Sequence, residues 1–360
     1  MKKTISIAFV ALLLGTLLLT LALPDKTFSP DENRMLQTLP SLTLSTITSG
    51  EWMDDMELWL ADQFPGRTFF VRTKASLDYL MGKRAIGGTY LGKNGQYFET
   101  TADIDETQLA KNVKYLTAFA QAHEVTFLPV YSAYTLYPEN LPAFAKTVDE
   151  RALVERFGLD YIDILPALEA AKESSIFFKT DHHWTQDGAY IAYLAYCEAM
   201  GLEPVTEFER IESAQPFYGS LYSKAPVFGA QPDVMSLYAI DREASVVYDM
   251  DESTRTDSLY NMAALSEKDQ YVAFLDGNHA RVDITTDAGT GKQLIVFKDS
   301  FAHALIPFLA NHYDTIAVID LRYYNFPVSQ LLAEMPDAEL LITYNVSWLA
   351  QDTNLAKLNR

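Results

Sequence analysis

Three short apolar runs near the C-terminus, at 293–297, 315–319 and 340–344, alternate with helical stretches at 301–310 and 328–334. The first run is apolar almost throughout, the signature of a strand covered on both faces. Strand–helix–strand–helix–strand order with short connections implies right-handed crossovers and a parallel sheet. The fold predicted is therefore α/β, a doubly wound and mainly parallel sheet. Upstream, a helix over 109–123, a strand over 125–130 and a helix over 185–200 extend the same alternation.

Between 204 and 287 the pattern changes to short strand-like segments with polar turns, which reads as a β-rich insertion lying over one edge of the sheet. Before residue 101 there is a hairpin whose turn is marked by Asn94-Gly95. Two amphipathic stretches precede it, interrupted by Asp62-Gln63-Phe64-Pro65-Gly66-Arg67. At the start, Lys2 and Lys3 are followed by an uncharged run from Thr4 to Leu23, about the length needed to cross a bilayer. An uncleaved anchor is favoured over a cleaved signal, with the basic flank cytoplasmic and the rest of the chain outside. The division expected is 1–24 as anchor or signal peptide and 25–100 as tether and helical lead-in. Residues 101–360 form the α/β domain, with the insertion around 204–287.

The net charge of −20 excludes binding that depends on neutralising a phosphate backbone, so no nucleic-acid partner is expected. Cys197 is the only cysteine, which rules out an intrachain disulfide and a multi-thiolate metal site. Its apolar helical context reads as a buried, inert thiol.

Two segments carry chemistry. One is Asp181-His182-His183-Trp184, where two of six histidines stand beside an acid. It suits a base with its orienter, or a set of metal ligands. The other is Lys298-Asp299-Ser300, directly after a buried strand, which is where open α/β sheets place their sites. Ser300 there is either a helix cap or a nucleophile with nearby N–H donors for an oxyanion. A serine nucleophile needs a base, and histidine titrates in the right range. Two-residue spacing puts Asp181 and His183 on one side of an extended turn. Catalytic roles accordingly fall to Ser300, His183 and Asp181, with His182 at the rim and Trp184 packed beneath.

Thr180-Asp181-His182-His183-Trp184 resembles the signature of the DHHW protein family. That family is similar to the alginate O-acetylation branch of the SGNH (GDSL-like) hydrolase superfamily. There an Asp-x-His motif precedes the serine block, and Lys298-Asp299-Ser300 resembles its Gly-Asp-Ser with lysine for glycine. Glu32-Asn33-Arg34 and Asp62–Arg67 resemble the lead-in of the same proteins. The resemblance implies an SGNH-hydrolase-like, flavodoxin-like fold. The implied activity is that of an extracytoplasmic acyltransferase or esterase acting on O-acetyl groups of a cell-surface polysaccharide, with a membrane-bound acyl-transfer partner and no cofactor.

Asn278, in Asp276-Gly277-Asn278-His279, is a candidate oxyanion donor, or simply a turn residue. Arg322 is a candidate for an anionic sugar or an acyl carbonyl, with Tyr323 or Tyr324 as a stacking face. His303 is a rival base three residues after Ser300. His123, His279 and His312 read as surface or loop residues. Two other functions stay open. One is a metal-dependent phosphoesterase using Asp181, His182, His183 and Asp187. The other is a non-catalytic polysaccharide-binding protein, which the lysine at 298 permits.

Overall fold

The computed structural model describes residues 2–101 and 103–360. The chain divides into two compact units, Met1–Gly87 with Tyr222–Ala230 and Gly88–Leu221 with Gln231–Arg360.

In the first unit, helix α1 (Lys2–Ala22) is long and apolar enough to cross a membrane. Helices α2 (Glu51–Asp62) and α3 (Arg67–Leu80) follow the apolar spacing, and Gly66 turns between them at φ 77°. The two lead-in motifs form one ionic clamp. Arg67 grips both oxygens of Glu32 at 2.8 and 2.9 Å, and Arg34 donates to Asp62 Oδ2 at 3.0 Å. Gln63 ties the tether down by donating to the carbonyls of Lys26 and Gln37. Burial alone would raise the Glu32 carboxyl, but hydrogen bonds from both arginines leave it lowered.

The second unit is built on a seven-stranded sheet. Its strands are β1 (Val125–Val130), β2 (Ala244–Tyr248), β3 (Asp251–Thr256), β4 (Arg281–Thr286), β5 (Gln293–Lys298), β6 (Thr315–Ile319) and β7 (Glu339–Asn345). They lie in the order β3-β2-β4-β6-β5-β7-β1. The pairs β6–β5, β5–β7 and β7–β1 are parallel, while β4–β6, β2–β4 and β3–β2 are antiparallel.

The 204–287 stretch thus differs from the overlay read from sequence. Three of its strands prolong the sheet. The free edge of β6 carries backbone donors and acceptors that must be paired, and β4 pairs them over five residues. The new edge, β3, is the polar sequence Asp-Glu-Ser-Thr-Arg-Thr, which discourages further pairing.

Every residue of β5 from Leu294 to Lys298 is buried, so both faces of the sheet are covered. Helix α4 (Glu106–Ala122) packs Phe119 edge-on against Phe297 of β5 at 5.6 Å. Helix α5 (Gln186–Met200) begins where predicted, with Thr185 capping Gly188 N–H, and ends at left-handed Gly201. Its inner face includes Cys197, which is buried, and burial pushes the thiol up to about 11. The Asn94-Gly95 turn joins antiparallel segments Thr89–Leu91 and Tyr97–Glu99.

The four parallel strands end side by side. Ser132 follows β1, Ser300 follows β5, Arg322 follows β6 and Asn345 closes β7. All four line one cleft of about 370 Å³. That is the end of an open α/β sheet where ligands bind.

Candidate active site

The turn at 180–184 is held from three directions. Asp233 accepts the backbone N–H groups of Lys179 and Thr180, both at 2.8 Å. The hairpin reaches across, with Tyr97 N–H on Lys179 O and Gln96 Nε2 on Phe178 O. Trp184 is fully buried beneath and donates its indole N–H to Phe301 O at 2.8 Å, linking this turn to the serine segment.

Within the turn, Asp181 Oδ1 accepts His183 backbone N–H at 3.0 Å and contacts His183 Nδ1 at 2.6 Å. This is an Asx turn and not the extended backbone expected, but it too sets the two side chains on one side. Ser220 N–H donates to Asp181 Oδ2 at 2.6 Å. The approach requires glycine at 219, because a Cβ there would lie 2.3 Å from Asp181 Cβ. The far nitrogen of the imidazole, His183 Nε2, lies 2.8 Å from Ser300 Oγ.

Ser300 is not the helix cap. Strand β5 ends at Lys298, and Asp299 caps the following 3-10 turn by accepting Phe301 N–H. The serine hydroxyl is thereby left to the imidazole. Asp299 Oδ2 also accepts Asn345 N–H, tying the ends of β5 and β7 together. Burial pushes its carboxyl up to about 6 against those two N–H groups.

Asp181 is buried, which alone would raise its carboxyl. The adjacent imidazoles and the hydrogen bonds from His183 and Ser220 outweigh this and hold it well below the usual range. Burial, reinforced by His182, lowers His183 to about 4 against the pull of Asp181. The imidazole is neutral at pH 7 and able to accept a proton. Tyr271, which sequence reading passed over, stacks on His183 at 3.8 Å and donates its hydroxyl to Ser300 O at 3.0 Å. It lies in the 204–287 stretch, and only the folded chain brings it beside the histidine.

The other candidates separate clearly. His182 lines the cleft, with Nδ1 2.8 Å from Ser220 Oγ. His303 is buried and its Nε2 meets Lys298 Nζ at 2.7 Å, so it is not the serine's partner. Lys298 is also buried, ion-paired with Asp320 at 3.0 Å, and does not line the cleft. Its departure from glycine therefore leaves Ser300 unobstructed. Arg322 lines the cleft and is held by Asp320 through Nε and Nη2. Asn278 meets Arg322 Nη2 at 3.1 Å and is outside the cleft lining, so it touches the site only through that guanidinium. Tyr323 is half-exposed beside Arg322. Tyr324 is buried beside Phe326 and offers no stacking face. His312 is buried against Tyr193, contrary to the surface position expected, because the apolar face of α5 needs cover there. His279 pairs with Asp249 at 2.9 Å.

Asp181, His182 and His183 do lie close enough to offer ligand atoms to one ion. The fourth proposed ligand does not join them. Asp187 is gripped by Arg210 at 2.7 and 3.0 Å. The remaining ligand atoms are committed to Ser220 N–H, to one another and to Ser300. The donor set fits a hydrogen-bonded relay better than a cation.

Asp320 holds the buried Lys298 and the partly exposed Arg322, and Asp320→Asn is expected to destabilise the protein by roughly 3–5 kcal/mol by stranding Lys298. Denaturant unfolding measures this. A loss under 1 kcal/mol, about the value of an exposed pair, would contradict the assignment.

Residues 154–319 match the DHHW protein family. The resemblance read from Thr180–Trp184 is borne out. Similar curated proteins include one named probable alginate O-acetylase AlgJ from Pseudomonas syringae pv. tomato. It is 28% identical over 252 residues, which is 63% of this chain and 62% of that one. A protein of the same name from Pseudomonas fluorescens is 27% identical over 202 residues, 49% and 51% of the two chains. The chain thus spans less than two thirds of either relative. Among solved structures, a DHHW family protein from Eubacterium siraeum aligns with TM-score 0.65 and 23% identity, over 76% of this chain and 95% of that one. Bacillus cereus PatB1 aligns with TM-score 0.62 and 19% identity, over 72% and 96%. These likenesses support the mixed α/β fold of this chain.

Proposed function

We propose that this DHHW-family chain is an extracytoplasmic, serine-dependent acyltransferase or esterase of SGNH-like fold, acting on O-acetyl groups of a cell-surface polysaccharide. The observation that carries the reading is the unbroken contact chain Asp181–His183–Ser300 at the strand ends. Two relatives named as probable alginate O-acetylases support the acyl-transfer chemistry and a polysaccharide substrate. Helix α1 fits an anchor or a signal peptide.

Ser300 Oγ attacks the acetyl carbonyl carbon as His183 Nε2 takes its proton. Asp181 accepts from His183 Nδ1, fixing the tautomer and stabilising the imidazolium. Ser300 N–H and the Arg322 guanidinium, both at the cleft, support the oxyanion. As the intermediate collapses, the leaving oxygen departs with the proton from His183. A sugar hydroxyl or water then gives its proton to His183 and removes the acetyl group from Ser300. A membrane-bound partner would supply the acyl group.

A serine-directed phosphonate should label the chain once, at Ser300, as read by peptide mass spectrometry. Label elsewhere, or none, would refute the assignment.

The pH profile follows from the lowered His183. A base whose proton affinity falls from 6.5 to about 4 stays active as pH drops. The acid limb of kcat/KM for an activated acetyl ester is expected nearer 4 than 6.5. The same depression contributes stability that is complete above 6.5 and lost as pH falls toward 4. An acid limb at 6.5 would show that the imidazole is not buried as described.

A further inference from the structure

We infer that one wall of the cleft is a subsite for the acyl acceptor, shaped for an uncharged polyhydroxylated sugar by the buried carboxylate of Glu150. The inference rests on the acyl-transfer reading.

Glu150 is buried and stands behind the cleft wall. It accepts Ser132 N–H at 2.7 Å, and the hydroxyls of Ser132, Tyr134, Thr135 and Ser347 at 2.6–3.0 Å. Three of those hydroxyl residues, Ser132, Tyr134 and Ser347, line the cleft. A carboxylate only accepts, and each hydroxyl has one proton to give. Tyr134 and Ser347 also share a contact of 2.6 Å, so a proton passed from one to the other still ends on Glu150. The hydroxyl protons of this wall are drawn toward Glu150, Ser132 Oγ also accepts the Asn345 amide at 2.9 Å, and the lone pairs left on Ser347 and Tyr134 face donors in the cleft. Such a wall binds donors, and a sugar hydroxyl is a donor.

Two further features select the same class. Trp348 lines the cleft and is 49% exposed, giving a flat apolar face beside the hydroxyls, an arrangement suited to a sugar ring. Glu99 adds a carboxylate to the same lining while Arg322 is offset by Asp320, so with Glu150 behind it the wall opposes a uronate. The acceptor hydroxyl attacks the acetyl carbon on Ser300 and the bond to Ser300 Oγ breaks. The acceptor proton passes through His183 to that oxygen.

The test uses the full chain in detergent, p-nitrophenyl acetate as donor, and methyl β-D-glucopyranoside or its uronate counterpart as acceptor. Transfer and hydrolysis are measured together. Glu150→Gln places N–H groups against the donors it now accepts. The ratio of transfer to hydrolysis for the neutral glycoside should fall about tenfold. Trp348→Ala and Ser347→Ala should lower the same ratio, and they carry the test if Glu150→Gln fails to fold. The neutral glycoside should outcompete the uronate about tenfold in the wild type. An unchanged ratio in the variants, no transfer to the neutral probe, or equal use of the two probes overturns this inference alone. A wild type without acetyl turnover overturns the acyl-transfer reading with it.

Discussion

Ser300→Ala is expected to lower hydrolysis of an activated acetyl ester by roughly 10⁴- to 10⁶-fold, the scale seen when a serine nucleophile is removed from a working triad. Among the described residues, the Ser300 hydroxyl is the hydrogen-bonding group at His183 Nε2, at 2.8 Å, and the neighbouring serine-segment residues are committed to other partners. Asp299 is committed to Phe301 and Asn345, and His303 to Lys298. The change should leave folding intact, because Asp299 rather than Ser300 caps the turn, and one partly exposed hydrogen bond is worth about 1 kcal/mol. Steady-state rates with a thermal melt separate the two effects. Residual turnover above one hundredth of wild type, in a folded variant, would remove Ser300 from the chemistry.

Asp181→Asn should cost nearly as much, about 10⁴-fold in kcat. The carboxylate is surrounded by donors on both oxygens: His183 N–H and Nδ1 on one, Ser220 N–H on the other. An amide has a single acceptor oxygen. If that oxygen faces His183, the NH₂ collides with Ser220 N–H. If it faces Ser220, the NH₂ forces Nδ1 to accept, which puts the imidazole proton on Nε2 and prevents it from taking the serine's proton. The rate loss should therefore exceed what any loss of stability explains, and phosphonate labelling should fall with kcat. A variant that melts like wild type and retains a tenth of its rate would show that Asp181 only supports the turn.

Much of the site was readable from residue order because its parts are local. Asp181 and His183 are two residues apart, and the apolar run at 293–297 announces the strand whose end presents Ser300. The likeness to the DHHW family rests on five consecutive residues. The cleft wall was hidden for the opposite reason. Ser132, Asn345, Ser347 and Trp348 follow β1 and β7, neighbours in the sheet although far apart in the chain. The rule that picked Ser300 at the end of β5 would have flagged them, had it been applied to every parallel strand. Glu150 gave no such signal, since an acidic residue starting a short helix is ordinary on a surface, and its burial depends on four hydroxyls brought to it from two segments, 132–135 and Ser347.

The sequence by itself determined the α/β alternation, the apolar N-terminal segment and the pairing of an acid with its histidine, because periodicity and short spacing are encoded in adjacent residues. Only the tertiary structure decided which histidine meets Ser300, that Asp299 and not the serine caps the turn, and that Lys298 is held away by Asp320. The first depends on groups brought together across 117 residues, and the other two on how the buried groups around Asp299 and Lys298 share their hydrogen bonds, which no local pattern reports.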